Sequence, residues 1–471
     1  MEQIENSGIF IYNDDSKSLY VMGDIHGDYQ CLVHCLVDLC GVCFIKKISS
    51  EEQMTYSNRE ILQWNESCNS IVVFCGDFIH RKRFDDHVLD DECSDIFIIE
   101  TLLKLKKSAK KAGGDIILIS GNHEIMNILQ PDENIYTSEK NLPVNTKFFS
   151  DPKFVNDYIS NSYAWVKIND ILIAHGGLCS DYLDYINLSS VKMHGNQIIK
   201  YVNEKYHEFF NNFNYQKLKK DNVGYNLFVE YDMQNKAKHN MFWCREWGYD
   251  SVDCDTYKQI LGMVECKKMI IAHCPQFLSP EKPKMINFEC KDLDSSTYNL
   301  ARVDLGMSRS FDYNKHDNFI YYLTNNYNRK MAVLKLIYSN GELIFNNSSV
   351  ITEQLSCIQY LLLKYGLRPE DWESKHITTN WIGFEYLKPI LDSVIDSGDS
   401  NKISDFISES ETVCLTPNKK NRNLNPKTEQ DAKTVIMCIL YPLINLPVDK
   451  IKSIVEFNNL IKLKLKKNLK N

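Results

Sequence analysis

The sequence predicts an α/β fold, because short apolar runs typical of buried strands alternate with segments of helical periodicity. Five such runs are each followed at once by polar residues that can bind a ligand. In α/β sheets, ligands bind beyond the carboxyl ends of the strands, so this placement predicts a site there. With 471 residues, the chain is long enough for a large core and a smaller domain. Its composition, with 44% hydrophobic and 25% charged residues, is that of a globular protein and excludes a disordered or fibrous one.

Charge and targeting signals indicate which partners and which cell compartment to expect. A net charge of −8 argues against nucleic acid as the main partner, since surfaces that bind nucleic acid need clustered Lys and Arg. The start of the chain lacks the basic and apolar parts of a signal peptide. The longest apolar stretch, residues 434–448, contains two prolines and is too short to cross a bilayer. We therefore expect a soluble cytoplasmic protein with no transmembrane segment.

The cysteines are numerous but scattered. Sixteen are spread singly through the chain, and several lie in apolar runs such as Cys31 and Cys35. This distribution favours reduced, buried thiols over a framework of disulfides.

The first predicted strand, Leu19–Met22, leads into Gly23-Asp24-Ile25-His26-Gly27-Asp28. Side chains two residues apart on an extended segment point to the same side, so Asp24 and His26 can share one metal ion. Residues 29–40 follow with apolar residues at helical spacing.

The same unit recurs twice. Residues 70–75 form a continuous apolar run before Gly76-Asp77-Phe78-Ile79-His80-Arg81, and residues 95–111 are predicted to be helical. Residues 115–119 form the third strand, before Gly121-Asn122-His123-Glu124. An amide, an imidazole and a carboxylate are costly to bury at a strand end unless ligands or hydrogen bonds satisfy them, which indicates a site.

The later strands complete the pattern. Residues 164–168 and 171–174 predict a hairpin that ends in His175-Gly176-Gly177-Leu178, and residues 267–272 predict a strand that ends in His273. Residues 331–337 and 342–345 flank Asn340-Gly341, a strong hairpin signal, and the strand-rich part is predicted to close near residue 346. Beyond it we expect helices, the first over residues 352–365 with Thr352 as N-cap, then a polar linker at 416–428 and a basic tail at 450–470.

Six residues at or just after strand ends are candidate metal ligands: Asp24, His26, Asp77, Asn122, His175 and His273. Two divalent ions about 3.5 to 4 Å apart need several such ligands, and one carboxylate can bridge them. Mixed His, Asp and Asn ligands suit manganese, iron or zinc, so the identity of the metal stays open.

These motifs, in this order, resemble those of the calcineurin-like metallophosphoesterases. The His175-Gly176-Gly177-Leu178 form is typical of the phosphoprotein phosphatase branch. Within that branch, Phe242-Trp243-Cys244-Arg245, His273-Cys274-Pro275-Gln276 and residues 303–308 look most like the Shewanella-like protein phosphatases. The resemblance covers roughly residues 17–345, and five motifs in the correct order make chance agreement very small.

The resemblance implies a two-sheet β-sandwich flanked by helices, in a catalytic domain over residues 1–346 with a helical insertion at about 181–240. Residues 347–471 would be a helical C-terminal extension, with a possible protein partner. The implied reaction is hydrolysis of phosphomonoesters, foremost phosphoproteins at Ser, Thr or Tyr, by direct attack of a metal-bound hydroxide. Two alternatives stay open: a hydrolase of small phosphoesters or dinucleoside polyphosphates, and a degenerate protein that only binds.

The family also implies roles by position. Asp24, His26 and the bridging Asp77 would hold one metal, and Asp77 with Asn122, His175 and His273 would hold the other. His123 would protonate the leaving oxygen. Substrate phosphate would be bound by Arg81, Asn122 and the candidate second clamp Arg245. We expect Glu124 to support the loop, and Cys244 and Cys274 to pack or line the site rather than act as nucleophiles.

One position departs from the family pattern. The second motif of the family has an aspartate where this chain has His80, followed by Arg81-Lys82 in place of Arg-Gly. A carboxylate beside the general-acid imidazole stabilises its protonated form, which a second imidazole does less well. Asp85 or Asp86 could substitute from the same loop. We expect slower turnover of poor leaving groups or a lower pH optimum than in a relative with the aspartate, and a His80→Asp variant with an unchanged rate and pH profile would contradict this.

Overall fold

The computed structural model describes residues 2–352 except for 5–6, 15, 47–60, 83–92, 133–135, 140, 181, 184–185, 187–192, 212–226, 229–240, 249–251, 277–285, 292–296, 309–330 and 340. The chain divides into two compact units, Met1–Phe311 with Met331–Glu353, and Asp312–Lys330 with Gln354–Asn471. The second unit lies wholly outside the described residues. The predicted C-terminal helices, linker and basic tail therefore lie outside them too.

Seven α-helices have both ends within the described residues. They are α1 (Tyr29–His34), α2 (Asp95–Lys111), α3 (Asn122–Leu129), α4 (Leu142–Phe149), α5 (Pro152–Ser160), α6 (Asn196–Asn211) and α7 (Cys254–Met263). Helix α1 continues into a π-helical turn at Cys35–Leu39. Helix α2 has the predicted bounds, and α6 lies within the segment that was predicted to be helical.

Two large mixed sheets and one two-stranded sheet, Cys43–Lys46 with Ile61–Trp64, make up the strand structure in the described residues. The strands are β1 (Glu2–Ile4), β2 (Ile9–Ile11), β3 (Leu19–Met22), β4 (Cys43–Lys46), β5 (Ile61–Trp64), β6 (Ile71–Phe74), β7 (Asp115–Ile119), β8 (Ser162–Tyr163), β9 (Trp165–Ile168), β10 (Ile171–Ala174), β11 (Lys268–Ile271), β12 (Asn287–Lys291), β13 (Tyr298–Arg302), β14 (Ala332–Ser339), β15 (Glu342–Ile344) and β16 (Val350–Thr352). One sheet has the order β1-β2-β9-β10-β11-β13-β12. The other has the order β15-β14-β3-β6-β7-β8, with β16 also paired to β14.

The strands that carry the predicted ligands are parallel neighbours. In one sheet β3, β6 and β7 pair in parallel, and in the other β10 and β11 do so. Every residue of β3, β6, β10 and β11 is buried, as their continuous apolar sequences predict. Ring contacts link the two sheets, with centroids 5.8 Å apart for Phe10 and Tyr163. The predicted α/β fold with two sheets flanked by helices is confirmed.

The strands that the sequence missed are polar or short. Strand β13, Tyr298-Asn299-Leu300-Ala301-Arg302, lies between β11 and β12 although it contains an arginine. Because Arg302 is held by the Trp247 carbonyl at 2.6 Å and by Glu289 at 3.6 Å, it can be buried there. The strand region also extends past residue 346, since Thr352 lies in β16 and its hydroxyl donates to the carbonyl of Met331.

Among the described cysteines, one pair departs from the expected reduced, buried thiols. Cys254, the first residue of α7, is bonded to Cys290 of β12, with their Cα atoms 5.4 Å apart. The pairing joins a helix to a strand 36 residues further on, a proximity that spacing alone does not reveal. In the part of the chain that the structure describes, no helix is long and apolar enough to span a bilayer.

Candidate metal centre

The carboxyl ends of the two sheets meet at one place. The backbone N–H groups of Ile25 and His26 both donate to the carbonyl of Asp77, at 3.0 and 2.8 Å, so the loops after β3 and β6 are joined. The Nδ1 of His175, after β10, lies 2.8 Å from the carbonyl of Cys75, the residue that follows β6. This contact brings the histidine of one sheet to the aspartates of the other.

Several residues in these loops adopt an unusual backbone conformation. His26, Asp77, His80 and His273 have φ values of 45°, 52°, 75° and 65°. A side chain costs free energy in this left-handed region, and such residues cluster at functional sites. Four of them around one point therefore support a site rather than an ordinary set of loops.

Asp77 lies at the centre of the cluster. Its Oδ2 is 3.7 Å from His26 Nε2, 3.4 Å from His175 Nε2 and 3.7 Å from His123 Nε2. Two groups of side chains have ligand atoms close enough for a metal ion, and both include Asp77: one with His26 and His123, the other with His175 and His273. All of these side chains are buried.

The other two predicted ligands lie beside these groups. Asp24 Oδ2 is 3.6 Å from His26 Nε2, and Asp24 Oδ1 is 3.9 Å from His175 Nδ1. Asn122, the first residue of α3, has its Oδ1 2.8 Å from His175 Nε2. The structure therefore brings together all six predicted ligands, and it adds His123 to the group around His26.

The orientation of two histidines fits a bound cation. His26 and His175 each place Nδ1 against a backbone carbonyl, that of Ile79 at 3.2 Å and that of Cys75 at 2.8 Å. An Nδ1–H that donates to a carbonyl leaves the lone pair of Nε2 for a metal, as is usual for metal-bound histidine. In both residues that Nε2 faces the carboxylate of Asp77, and a lone pair opposite a carboxylate needs a positive charge between them.

The charges of the site also favour a bound cation. Burial and then the nearby Asp77 carboxylate raise the pKa of Glu124 to about 7. Although burial by itself would lower it, the Asp77 carboxylate raises the pKa of His175 above its usual value. The Nδ2 of Asn122 is buried and has no hydrogen-bond partner among the described residues. Buried acids crowded together in this way are stabilised by cations, so the donor set fits divalent metals.

Glu124 braces two of the ligand loops. Its carboxylate accepts hydrogen bonds from the backbone N–H groups of Asp77, Phe78 and Gly121, at 2.9, 2.7 and 2.8 Å. In return, the backbone N–H of His123 donates to Asp77 Oδ1 at 3.0 Å. Glu124 thus holds Asp77 against the start of α3, which agrees with a supporting role.

His80 occupies the place beside His123 that the family gives to an aspartate. The Nδ1 atoms of His80 and His123 lie 2.5 Å apart. The side chain of Asn127 contacts His80 Nε2 on the other side. Asp85 and Asp86, the residues that could substitute for the family aspartate, lie outside the described residues.

Arg81 is anchored by two residues that the sequence reasoning did not single out. Its Nη1 donates to Asp28 Oδ2 at 3.2 Å and to Ser308 Oγ at 3.0 Å, and the side chain is fully buried. Ser308 also donates to the carbonyl of His26 at 3.1 Å. Both residues lie in motifs that carried the family resemblance, which was the available signal for them.

Arg245 and the nearby cysteines differ in exposure. Arg245 is exposed, whereas Cys244 and Cys274 are buried. Burial raises the pKa of the Cys274 thiol to about 12, although the charge of Arg245 opposes this. A thiol with so high a pKa is a poor nucleophile, which supports the expected packing role. The ring of Trp243 lies 5.8 Å from that of His273, so this segment borders the ligands.

Comparisons with solved structures returned phosphatases of low sequence identity. The cold-active protein-tyrosine phosphatase of a psychrophilic Shewanella species is 17% identical, with a TM-score of 0.45 over 75% of this chain and 85% of that chain. A protein serine/threonine phosphatase from Saccharomyces cerevisiae, with similarity to human phosphatase PP5, is 15% identical, with a TM-score of 0.35 over 73% of this chain and 82% of that one. No curated protein matches the chain.

A family model gives a direct match in sequence. Residues 17–245 match the model described as calcineurin-like phosphoesterase, a range that contains five of the six predicted ligands. The sixth, His273, lies beyond it and is brought to the site by β11. The match and the ordered motifs identify a calcineurin-like phosphoesterase domain within this chain.

Proposed function

We propose that this chain is a metal-dependent phosphatase that hydrolyses phosphomonoesters, foremost those of phosphoproteins at Ser, Thr or Tyr. The observation that carries the proposal is the pair of buried side-chain groups that share Asp77. A carboxylate shared by two groups of ligands can bridge two adjacent divalent ions. The phosphoprotein phosphatase branch, and the Shewanella-like group within it, are part of the proposal and rest on the motifs quoted above.

Two divalent ions, manganese, iron or zinc, would be held by the six ligands. Asp24, His26 and Asp77 would form one site, and Asp77 would bridge to Asn122, His175 and His273 in the other. When bound, the ions supply an activated water as nucleophile and neutralise charge that develops on the phosphoryl group.

The remaining side chains would bind and orient the substrate. Arg81, held by Asp28 and Ser308, would present its guanidinium to the phosphate, with Asn122 and the exposed Arg245 as further contacts. His123 would face the leaving oxygen through Nε2, the nitrogen that points towards Asp77. The catalytic domain is proposed to span residues 1–346, with the helical extension after it as a site for a protein partner.

The test is phosphate release by full-length protein that has been stripped of metal and reloaded with manganese, iron or zinc. Phosphopeptides, nucleotides and dinucleoside polyphosphates serve as substrates, metal content is measured in parallel, and Asp77→Asn is the control. We expect two ions per chain, release of phosphate from phosphopeptides, and loss of both in the control. Turnover of nucleotides alone would favour the small-molecule hydrolase, and full metal content without any turnover would favour a protein that only binds.

A further inference from the structure

Asn127 reaches His123 through His80. Asn127 lies four residues after His123, so both side chains project from the same face of α3. The side chains of Asn127 and His80 are fully buried. The contacts between the three side chains decide where the histidine protons lie.

The amide nitrogen of Asn127 has two acceptors. Nδ2 donates to the carbonyl oxygen of His123 at 3.2 Å, and the same nitrogen contacts His80 Nε2. Which amide atom is nitrogen must be assigned from its neighbours. The reverse orientation would place Oδ1 against the carbonyl oxygen of His123, an unfavourable contact between two acceptors, so the nitrogen belongs where the structure has it.

The position of one proton follows from this donor. Because Nδ2 donates to His80 Nε2, that nitrogen is an acceptor, and a neutral His80 carries its proton on Nδ1. His80 Nδ1 therefore donates to His123 Nδ1, 2.5 Å away. His123 in turn carries its own proton on Nε2, the nitrogen 3.7 Å from Asp77 Oδ2.

We propose that Asn127 is a positioning residue that holds His123, through His80, in the tautomer with its proton on Nε2. The role of this tautomer in catalysis rests on the proposed phosphatase function. A carboxylate in place of His80 would accept from Nδ1 and favour the imidazolium form of His123. In this chain, neutral His123 already presents an N–H to the leaving oxygen.

The arrangement limits how far the proton can move. Full transfer breaks the Nε2–H bond of His123 and forms an O–H bond on the leaving group, and the Nδ1 proton of His80 passes to His123 Nδ1. His80 would then be left as an imidazolate, an anion that is costly to form in a buried place. His123 therefore stabilises the leaving oxygen by a hydrogen bond, and the rate falls steeply as the leaving group becomes more basic.

The first test reads the tautomers directly. Full-length protein loaded with zinc, which is diamagnetic, and labelled with ¹⁵N in the histidine rings is studied by NMR at mildly alkaline pH. Signals among the twelve histidines are assigned with the His80→Gln and His123→Gln variants. We expect a protonated Nδ1 in His80 and a protonated Nε2 in His123. Finding the proton of His80 on Nε2 would overturn the proposal, whether or not the protein hydrolyses any substrate.

The second test moves the proton. In Asn127→Asp the new carboxylate can only accept, so His80 should carry its proton on Nε2 and accept from His123 Nδ1–H. We expect both ring signals to switch, and the kcat ratio of alkyl to aryl phosphate at the same pH to fall by about tenfold or more, since His123 Nε2 then has a lone pair in place of its proton and general-acid catalysis contributes roughly 10²–10⁴-fold. The isosteric variant Asn127→Leu, which neither donates nor accepts, should lower this ratio less than Asn127→Asp.

A control tests whether the effect of Asn127→Asp needs a negative charge at position 127 or follows from any added negative charge. Asn161, at the end of α5, contacts only Asp157 through its side chain in the described residues, at 2.7 Å and 3.4 Å. Asn161→Asp should leave the ring signals and the ratio unchanged. A ratio that is the same in Asn127→Asp as in the parent, with the ring signals switched, would overturn the link between tautomer and leaving group.

Discussion

At the scale of single residues, Arg81 shows how a substrate-binding group depends on buried partners. Its guanidinium and the carboxylate of Asp28 are both buried and lie 3.2 Å apart. Asp28 also caps α1, where it accepts from the backbone N–H of Cys31 at 3.0 Å. One aspartate thus fixes both a helix start and the proposed phosphate clamp.

The pair gives a prediction for stability. Asn can cap a helix as well as Asp, so Asp28→Asn removes only the negative charge that faces the buried Arg81. We expect the free energy of unfolding in urea to fall by about 3–5 kcal/mol. The exposed pair of Lys267 and Glu342 is the control, since Glu342→Gln should cost only about 0–1 kcal/mol. Equal effects of the two variants would contradict the role given to Asp28.

Glu124 gives a second prediction at this scale. Glu124→Gln keeps the shape but turns one acceptor oxygen into an NH₂ group that faces backbone N–H donors. A hydrogen bond to a charged group contributes about 1.5–3 kcal/mol, and we expect a loss of that size in the free energy of unfolding, with weaker metal binding. Calorimetry of metal binding checks the second effect. The exposed Glu66→Gln serves as control and should change neither quantity.

The sequence identified the candidate metal ligands of the site but not all of the residues that support the site. The six ligands could be found because Asp, His and Asn at strand ends have a chemical meaning on their own. Ser308 lies 227 residues from Arg81, and Asn127 looks like an ordinary helical residue. Their importance comes only from contacts, which residue type does not reveal.

At the scale of elements, the turn between β7 and α3 allows the ligands to approach each other. A Cβ built on Gly121 would lie 2.1 Å from Asp77 Oδ1 and 2.5 Å from the Asp77 backbone nitrogen. Such contacts cannot be relieved by a flexible side chain, because Asp77 is itself held by Glu124. The glycine therefore sets the distance between two ligand loops.

This close approach predicts the effect of adding one methyl group at position 121. Gly121→Ala should displace Asp77, so that phosphate release and metal content both fall at least tenfold. Gly262 in α7 is the matched control, since nothing lies within 4 Å of a Cβ built there. Gly262→Ala should be neutral or stabilising, by up to about 1 kcal/mol, because alanine is the better helix former. Full metal content in Gly121→Ala would contradict this account.

Elements with strong local patterns agree with prediction, and those without do not. Strands β3, β7 and β10 and helix α2 have the predicted bounds because apolar periodicity determines them. Strand β13 was missed because neighbours on both sides, rather than its own composition, make it a strand.

At the scale of the whole molecule, the site joins two sheets, and metal should stabilise their junction. We expect an excess of chelator to lower the midpoint of thermal unfolding, because ligand at 100 times its dissociation constant stabilises the folded state by about 2.7 kcal/mol. Readdition of manganese or zinc should restore the midpoint. Asp77→Asn, which lacks the shared carboxylate, should be insensitive to the chelator. An unchanged midpoint in the parent protein would argue against metal at this junction.

The arrangement of the strands in two sheets could not be predicted from the residues alone. The residues predicted strands that end in ligands, but only the family resemblance indicated two sheets rather than one. The partner of a strand depends on contacts between residues far apart in the chain, for which local pattern contains no signal.

The place of β14 beside β3 has a consequence for the synthesis of the protein. Leu334 pairs with Val21, so one edge of the first ligand-bearing strand is completed by a segment made more than 300 residues later. While the ribosome is still translating the intervening chain, that edge of β3 has exposed backbone groups and apolar side chains that can pair with other nascent chains. The newly made protein must therefore be kept from aggregating, by chaperones or by slow release, until β14 has emerged.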